Sequence, residues 1–270
     1  MHNTRYKRAS TRIAKRKKLK KYLGVFLIIS IVVAILIGFV FLVRADFLQV
    51  KNFEVSGSKM IETKSLKNVA NDFISGNKLL FISKSNIIFL NKEKLKKTLL
   101  SQFARLEKVE INKKFFSKDV ELKITERSPD FVWCAKEGEC FFMTKTGFIF
   151  EKILDGQVLS GLVSFRGLLD GSPIFKNFAT PEKMQNYSSF IEVLKGSGVE
   201  IYSINIESSD KAVAKTEMGD IFFSPVGKDL LLTAENTLLL INEIKNKNAS
   251  ARINYIDARF DNKFYYKLYP

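Results

Sequence analysis

Two cysteines, Cys134 and Cys140, are the residues of this chain best placed for covalent chemistry. The segment between them, Ala135–Glu139, contains Gly138 and reads as a hairpin loop, which sets the two thiols opposite one another on adjoining strands. A structural disulfide is the preferred reading, and closing so short a loop would stabilise the fold by roughly 2 kcal/mol. Free thiols are the second reading. A metal or redox site is the third, and the weakest: the spacing is not Cys-x-x-Cys, and the single histidine is His2.

Carboxylate pairs are the other possible chemistry, as in glycoside hydrolysis. Glu126, Glu137, Glu139, Asp155 and Asp170 are candidates, but each falls at a strand end or turn where a solvated carboxylate is the simpler reading. Imidazole-based triads and thiol–imidazole pairs lack a histidine beyond His2. No Gly-rich phosphate loop follows a strand. The expectation is a protein that is not an enzyme and that carries neither cofactor nor metal. A deep pocket with converging polar groups would argue otherwise.

What must position these residues begins with an uncharged run, Tyr22–Val43. At about 1.5 Å per residue it reaches ~33 Å, enough for a hydrocarbon core of ~30 Å. Ten Lys and Arg and no acidic residue precede it, so residues 1–21 are expected in the cytoplasm and the C-terminal part outside. Signal peptides have shorter apolar regions, and Arg44 sits awkwardly beside any cleavage point, so an anchor is preferred over a cleaved signal. The net charge of +16 suggests nucleic acid only superficially. Without the ten tail charges, 34 basic residues face 28 acidic ones. Anionic lipid is the expected partner of the tail, with no nucleic acid.

Beyond the run, residues 50–56 alternate as a strand that ends at Gly57. Thr63 is a plausible N-cap for a helix bearing Leu66, Val69, Ala70 and Phe73, and Gly76 a C-terminal cap. A second helix over 91–104 aligns Leu95, Leu99 and Phe103, then Leu106, with Lys92, Lys94, Lys96 and Lys97 in solvent. Val109 and Ile111, then Val120, Leu122 and Ile124, mark two half-buried strands joined through Asn112–Lys118. After Pro129 come strands at Phe131–Cys134, Cys140–Thr144, Phe148–Phe150 and Leu162–Phe165. Thr180-Pro181 opens a helix with Met184, Tyr187, Phe190, Ile191 and Leu194 inward, ending at Gly196. Strands near 199–208, 211–217 and 220–224 follow, then a helix near 228–245 with Leu231, Ala234, Leu238 and Ile241 on one side. Strands near 252–257 and 263–269 close the chain. The fold class is α+β: a single N-terminal transmembrane helix, a β-α-α-β-β module, then an α+β domain with a long antiparallel sheet.

This order of pieces resembles the bacterial cell division family FtsQ, called DivIB in Gram-positive bacteria. The residues that carry the resemblance are Phe53–Gly57 (FEVSG), Val109–Ile111 (VEI) and Val120–Pro129 (VELKITERSP) running into Val132-Trp133. Phe142–Phe150 (FMTKTGFIF), Tyr255–Phe260 (YIDARF), Asn262 and Phe264–Lys267 (FYYK) complete it. Thr144 stands where the family commonly has Asp, Ala258 replaces a usual Leu, and the cysteines are not general family features. The resemblance implies a basic cytoplasmic tail at 1–21, a transmembrane helix at 22–43, a POTRA domain at 48–126 and an FtsQ-type β domain at 127–270. The region after the helix is short, so no extra domain is expected before the POTRA module.

The implied function is a divisome scaffold, type II in the inner (plasma) membrane at the division septum, that helps control septal peptidoglycan synthesis. Its implied partners are FtsB/DivIC-like and FtsL-like coiled-coil proteins at the last strand. Other divisome members would contact the POTRA domain and membrane helix. The implied contact residues are Arg259, Phe260, Asn262, Phe264 and Tyr266. The residues themselves support an edge here, because no later strand follows to cover a β-prone terminus. Phe264 and Tyr266 could instead be ordinary core. The alternative function is a membrane-tethered extracytoplasmic enzyme acting on the cell wall. A POTRA-bearing outer-membrane assembly component is disfavoured, since one POTRA copy and no barrel-length series of strands is read.

Overall fold

The apolar run lies within one long helix, α1 (Thr4–Val43). The computed structural model describes residues 4–79, 82–114, 118–135, 138–154, 157, 161–260 and 263–270. The helix starts well before Tyr22 because the tail is rich in Lys, Arg and Ala, good helix formers, with no Gly or Pro to break it. Its Lys17–Val43 part is long and apolar enough to cross a membrane. Leu, Ile, Val and Phe are exposed all round it rather than along one stripe, as befits a helix solvated by lipid.

The chain divides into two compact units, residues 1–99 with 108–124, and residues 100–107 with 125–270. In the first, a 3-10 turn (Asp46–Leu48) follows α1, then β1 (Asn52–Ser56), α2 (Thr63–Ile74), a short hairpin of β2 (Asn77–Leu79) and β3 (Ile82–Ser83), and α3 (Lys92–Gln102). β4 (Leu106–Lys114) and β5 (Asp119–Glu126) complete a sheet of order β1-β5-β4. β1 runs parallel to β5, with Asn52 opposite Asp119 and Ser56 opposite Lys123. Phe53, Leu66, Ala70, Leu95, Leu99, Val120, Leu122 and Ile124 are buried, so both helices and alternate strand positions feed the core.

Three local readings shift. Glu62, not Thr63, is the N-cap of α2, and Thr63 is already helical. The Glu62 side chain caps no backbone N–H of the helix and instead accepts from Ser65 Oγ at 2.9 Å. Helix α3 stops at Gln102, so Leu106 is buried as the first residue of β4 rather than on a helix face. The β2–β3 hairpin was not anticipated, because two- and three-residue strands are too short to show a period.

The second unit is built on a nine-stranded sheet. Its strands are β6 (Phe131–Cys134), β7 (Cys140–Met143), β8 (Ile149–Lys152), β9 (Val163–Arg166), β10 (Ile201–Ile206), β11 (Ala212–Thr216), β12 (Gly219–Phe223), β13 (Ile253–Asp257) and β14 (Tyr265–Leu268). Their order is β14-β13-β12-β11-β10-β9-β6-β7-β8. The sheet is mixed, not antiparallel: β6 with β9, β9 with β10, and β12 with β13 are parallel. Two of these pairs enclose a helix, α4 (Pro181–Gly196) between β9 and β10, and α5 (Leu230–Lys247) between β12 and β13. A helical crossover returns the chain to the end where it started, so the next strand must run the same way.

Helix α4 follows its sequence pattern. Thr180 Oγ1 accepts from the Lys183 N–H, Pro181 opens the helix, and Met184, Tyr187, Phe190, Ile191 and Leu194 are buried. Helix α5 is rotated from the expected phase. Leu231 is 44% exposed, while Leu230, Thr233, Ala234, Thr237, Ile241 and Ile244 are inside. Two threonines can be buried there because their hydroxyls donate to carbonyls one turn back, Thr233 to Asp229 at 2.8 Å and Thr237 to Thr233 at 2.7 Å.

Candidate functional site

The two ends of the nine-stranded sheet are treated differently. At the β8 end, Ile149 N–H donates to Lys176 O (2.8 Å) and Ile149 O accepts from Phe175 N–H (3.0 Å). A returning loop therefore occupies part of that edge. At the other end β14 is outermost, and among the described residues no strand pairs with its far side. An unpaired edge of β-prone residues is a template for another strand.

The register shows which groups face outward. Tyr265 lies opposite Asp257, Tyr266 opposite Ile256, Lys267 opposite Tyr255 and Leu268 opposite Ile253, with a bulge in β13 at Asn254. Tyr269 N–H donates to Arg252 O at 2.8 Å. Backbone groups alternate along a strand, so Lys267 and Tyr265 also turn theirs to β13, leaving the N–H and C=O of Tyr266 and Leu268 toward the open side.

Side chains alternate across the two faces as well. Phe264 and Leu268 pack against the main core beneath the helices, which puts Tyr266 on that face. Tyr265 is on the opposite face, edge-on to Phe260 with ring centroids 5.4 Å apart. Tyr265, Tyr266 and Phe260 are each about half exposed. A shallow recess of about 180 Å³ lies beside them, lined by Asp229, Leu232, Ala258, Phe260 and Phe264 among others.

The five residues expected to form a contact surface thus divide. Phe260 and Tyr266 are exposed and available. Phe264 is partly buried core, with one side on the recess. Arg259 is engaged by Asp257: its Nε donates to Oδ1 at 2.9 Å and its Nη2 to Oδ2 at 2.7 Å, while the guanidinium lies 5.7 Å from the Phe260 ring centroid. Burial alone would raise the Asp257 carboxyl, but the bonds from Arg259 outweigh it and hold that carboxyl below its ordinary value. Asn262 lies outside the described residues. Tyr265 and Asp257, which neighbour these residues, were not among the five. Asp257 is the last residue of β13, and its pairing with Arg259 spans the end of that strand.

The two cysteines are joined as a disulfide, with Cys134 directly opposite Cys140 in the β6–β7 register and Cα atoms 4.1 Å apart. Thr144 Oγ1 accepts from Phe148 N–H at 3.1 Å. Of the candidate carboxylates, Glu139 pairs with Lys152 at 2.5 Å and Asp170 is exposed. Glu126 is partly exposed, and Glu137 and Asp155 lie outside the described residues. Among the described residues no group of three or more His, Cys, Asp or Glu is placed to hold a metal. Compared with known proteins, the chain matches no family model and no curated relative.

Proposed function

We propose that this protein is a membrane-anchored scaffold of the FtsQ/DivIB kind, and that it binds partners by accepting an added strand at the β14 edge. The single observation that carries the reading is the asymmetry of the large sheet, with one edge bonded to a loop and the other open and lined with tyrosines. Backbone groups of Tyr266 and Leu268 would supply affinity, and Tyr265, Tyr266 and Phe260 would supply selectivity from both faces. The partners are FtsB/DivIC-like and FtsL-like coiled-coil proteins. The first unit, with its β-α-α-β-β core, is read as a POTRA domain that meets other divisome members together with α1.

In this reading the basic tail is cytoplasmic against anionic lipid, and the part of the chain after α1 is extracytoplasmic at the septum of the plasma membrane. The protein brings its partners together and thereby helps control septal peptidoglycan synthesis, without chemistry of its own. The test is recovery of partners from a detergent extract of the source cells by the tagged full-length chain. Small single-pass coiled-coil proteins recovered by the wild type and lost with the double variant Tyr265→Asp, Tyr266→Asp support both function and site. Equal recovery by both chains moves the site elsewhere. Recovery by neither removes the scaffold reading.

A further inference from the structure

The last carbonyl of a helix has no partner within the helix, and it must find one elsewhere. At Val43, the final residue of α1, the carbonyl accepts from Asn86 Nδ2 at 2.7 Å and from Gln49 Nε2 at 3.1 Å. Asn86 is fully buried, and its Oδ1 accepts from the Ile88 N–H at 2.9 Å. Gln49 is itself fixed, its Oε1 accepting from Ser85 Oγ at 2.6 Å. The backbone adds two bonds, Ile87 N–H to Leu48 O and Val50 N–H to Ser85 O, each 2.8 Å. Val43, Val50, Ile87 and Leu90 are buried around this network. Residues 85–88 are therefore tied to the point where α1 ends.

That point has a known depth if α1 spans a bilayer. Tyr22–Val43 matches the hydrocarbon thickness, which puts Val43 at its boundary, and the head-group layer beyond is ~5–7 Å deep. Among the described residues beside this point, Ile88 is 53% exposed and Phe47, in the 3-10 turn, is 45% exposed. Along the flanking segments the charge is mainly positive. Arg44 leaves the helix, Lys84 precedes the tied segment, and Lys51 and Lys118 share the single carboxylate of Asp46. Exposed apolar side chains on segments that also carry cations suit an interface whose surface is anionic and whose depth is greasy.

We infer that Phe47 and Ile88 insert into the head-group layer where α1 leaves the bilayer, so that the Asn86 clamp and this pair together fix the first unit's orientation on an anionic lipid surface. The inference rests on α1 crossing a membrane and is independent of any partner at β14.

The test uses the full-length chain in nanodiscs of phosphatidylethanolamine and phosphatidylglycerol, with spin-labelled lipid carrying its label at the head group or deep in the acyl chain. Phe47→Trp and Ile88→Trp each add a reporter at an exposed position, and the emission of buried Trp133 is subtracted using the wild type. The expected result at both positions is a shift of emission to shorter wavelength and a loss of intensity greater with the head-group label than with the deep one. A reporter at either position that stays insensitive to both labels and is quenched by aqueous iodide overturns the inference. Val33→Trp separates the two levels of the argument. Loss of its emission to the deep label establishes the span, whereas no such loss removes the span and the inference with it.

Discussion

Asp257 accepts both prongs of the Arg259 guanidinium, at 2.9 and 2.7 Å, just where β13 gives way to the turn before β14. The backbone N–H of Arg259 also donates to the same carboxylate, at 3.2 Å. One acid thus fixes both the side chain and the path of the chain that delivers the edge strand.

Replacing Arg259 by Gln should cost about 1–2 kcal/mol of stability at neutral pH, the range for charge-assisted bonds that are partly solvated. The pH dependence has a definite sign. The Asp257 carboxyl is held below its ordinary value in the fold, so its contribution is complete above about pH 4 and is lost as pH falls through the depressed value. Urea titrations of wild type and variant should differ by a constant amount between about pH 5 and 7 and converge in acid. A gap that widens in acid would mean that the carboxylate is not the partner that matters.

Phe264 and Tyr266 separate core from contact. Phe264 packs on the main core, so Phe264→Asp should lower stability by about 2 kcal/mol or more. Tyr266 is 46% exposed on the edge strand, and Tyr266→Asp should leave the thermal transition within about 0.5 kcal/mol of wild type while weakening partner recovery. If Tyr266→Asp also unfolds the domain, the strand is part of the core and the edge is not a free site.

Much of this could be read before the structure, where the signal is local. The Thr180-Pro181 start of α4, the alternation of Val120, Leu122 and Ile124, and the Cys134–Cys140 register all depend on a few neighbouring residues. What escaped depends on distant ones. The parallel pairing of β12 with β13 follows from where α5 returns the chain. The phase of α5 turns on two threonines that bond inward, and an apolar-only reading counts them as polar. The clamp on Val43 joins residues 43 apart, with no local pattern to announce it.

The disulfide closes a short loop between paired strands, so its removal should cost about 2 kcal/mol. The double variant Cys134→Ala, Cys140→Ala is the cleaner probe, since Cys134 is buried and a hydroxyl there would need a partner. The expected readout is a lower urea midpoint with an unchanged slope. Partner binding should persist, because β6 and β7 lie toward the β8 end of the sheet.

Two glycines in the first unit share a positive φ but not a setting. Gly57 has φ +83° and a Cβ there would sit 2.3 Å from the Ile124 carbonyl oxygen, whereas Gly76 has φ +79° with nothing within 4 Å. Gly76→Ala should cost only the left-handed penalty, about 1–2 kcal/mol. Gly57→Ala must also push β1 away from β5, so it should cost more and move the amide signals of Leu122–Glu126. Equal losses for the two variants would show that backbone conformation alone makes glycine necessary at 57.

Amide hydrogen exchange reads the edge directly. Tyr265 and Lys267 turn their N–H groups to β13, and Tyr266 and Leu268 turn theirs to the open side. In the free protein the first pair should be protected and the second should exchange as a solvent-exposed strand does, since protection follows the hydrogen bond and not the side chain. Adding a strand partner should then protect Tyr266 and Leu268 selectively, leaving the β13-facing pair little changed. Protection of all four amides in the free protein would mean that the edge is already covered. Protection of none on partner binding would place the contact on side chains alone, and strand addition would have to be abandoned in favour of a face-to-face dock.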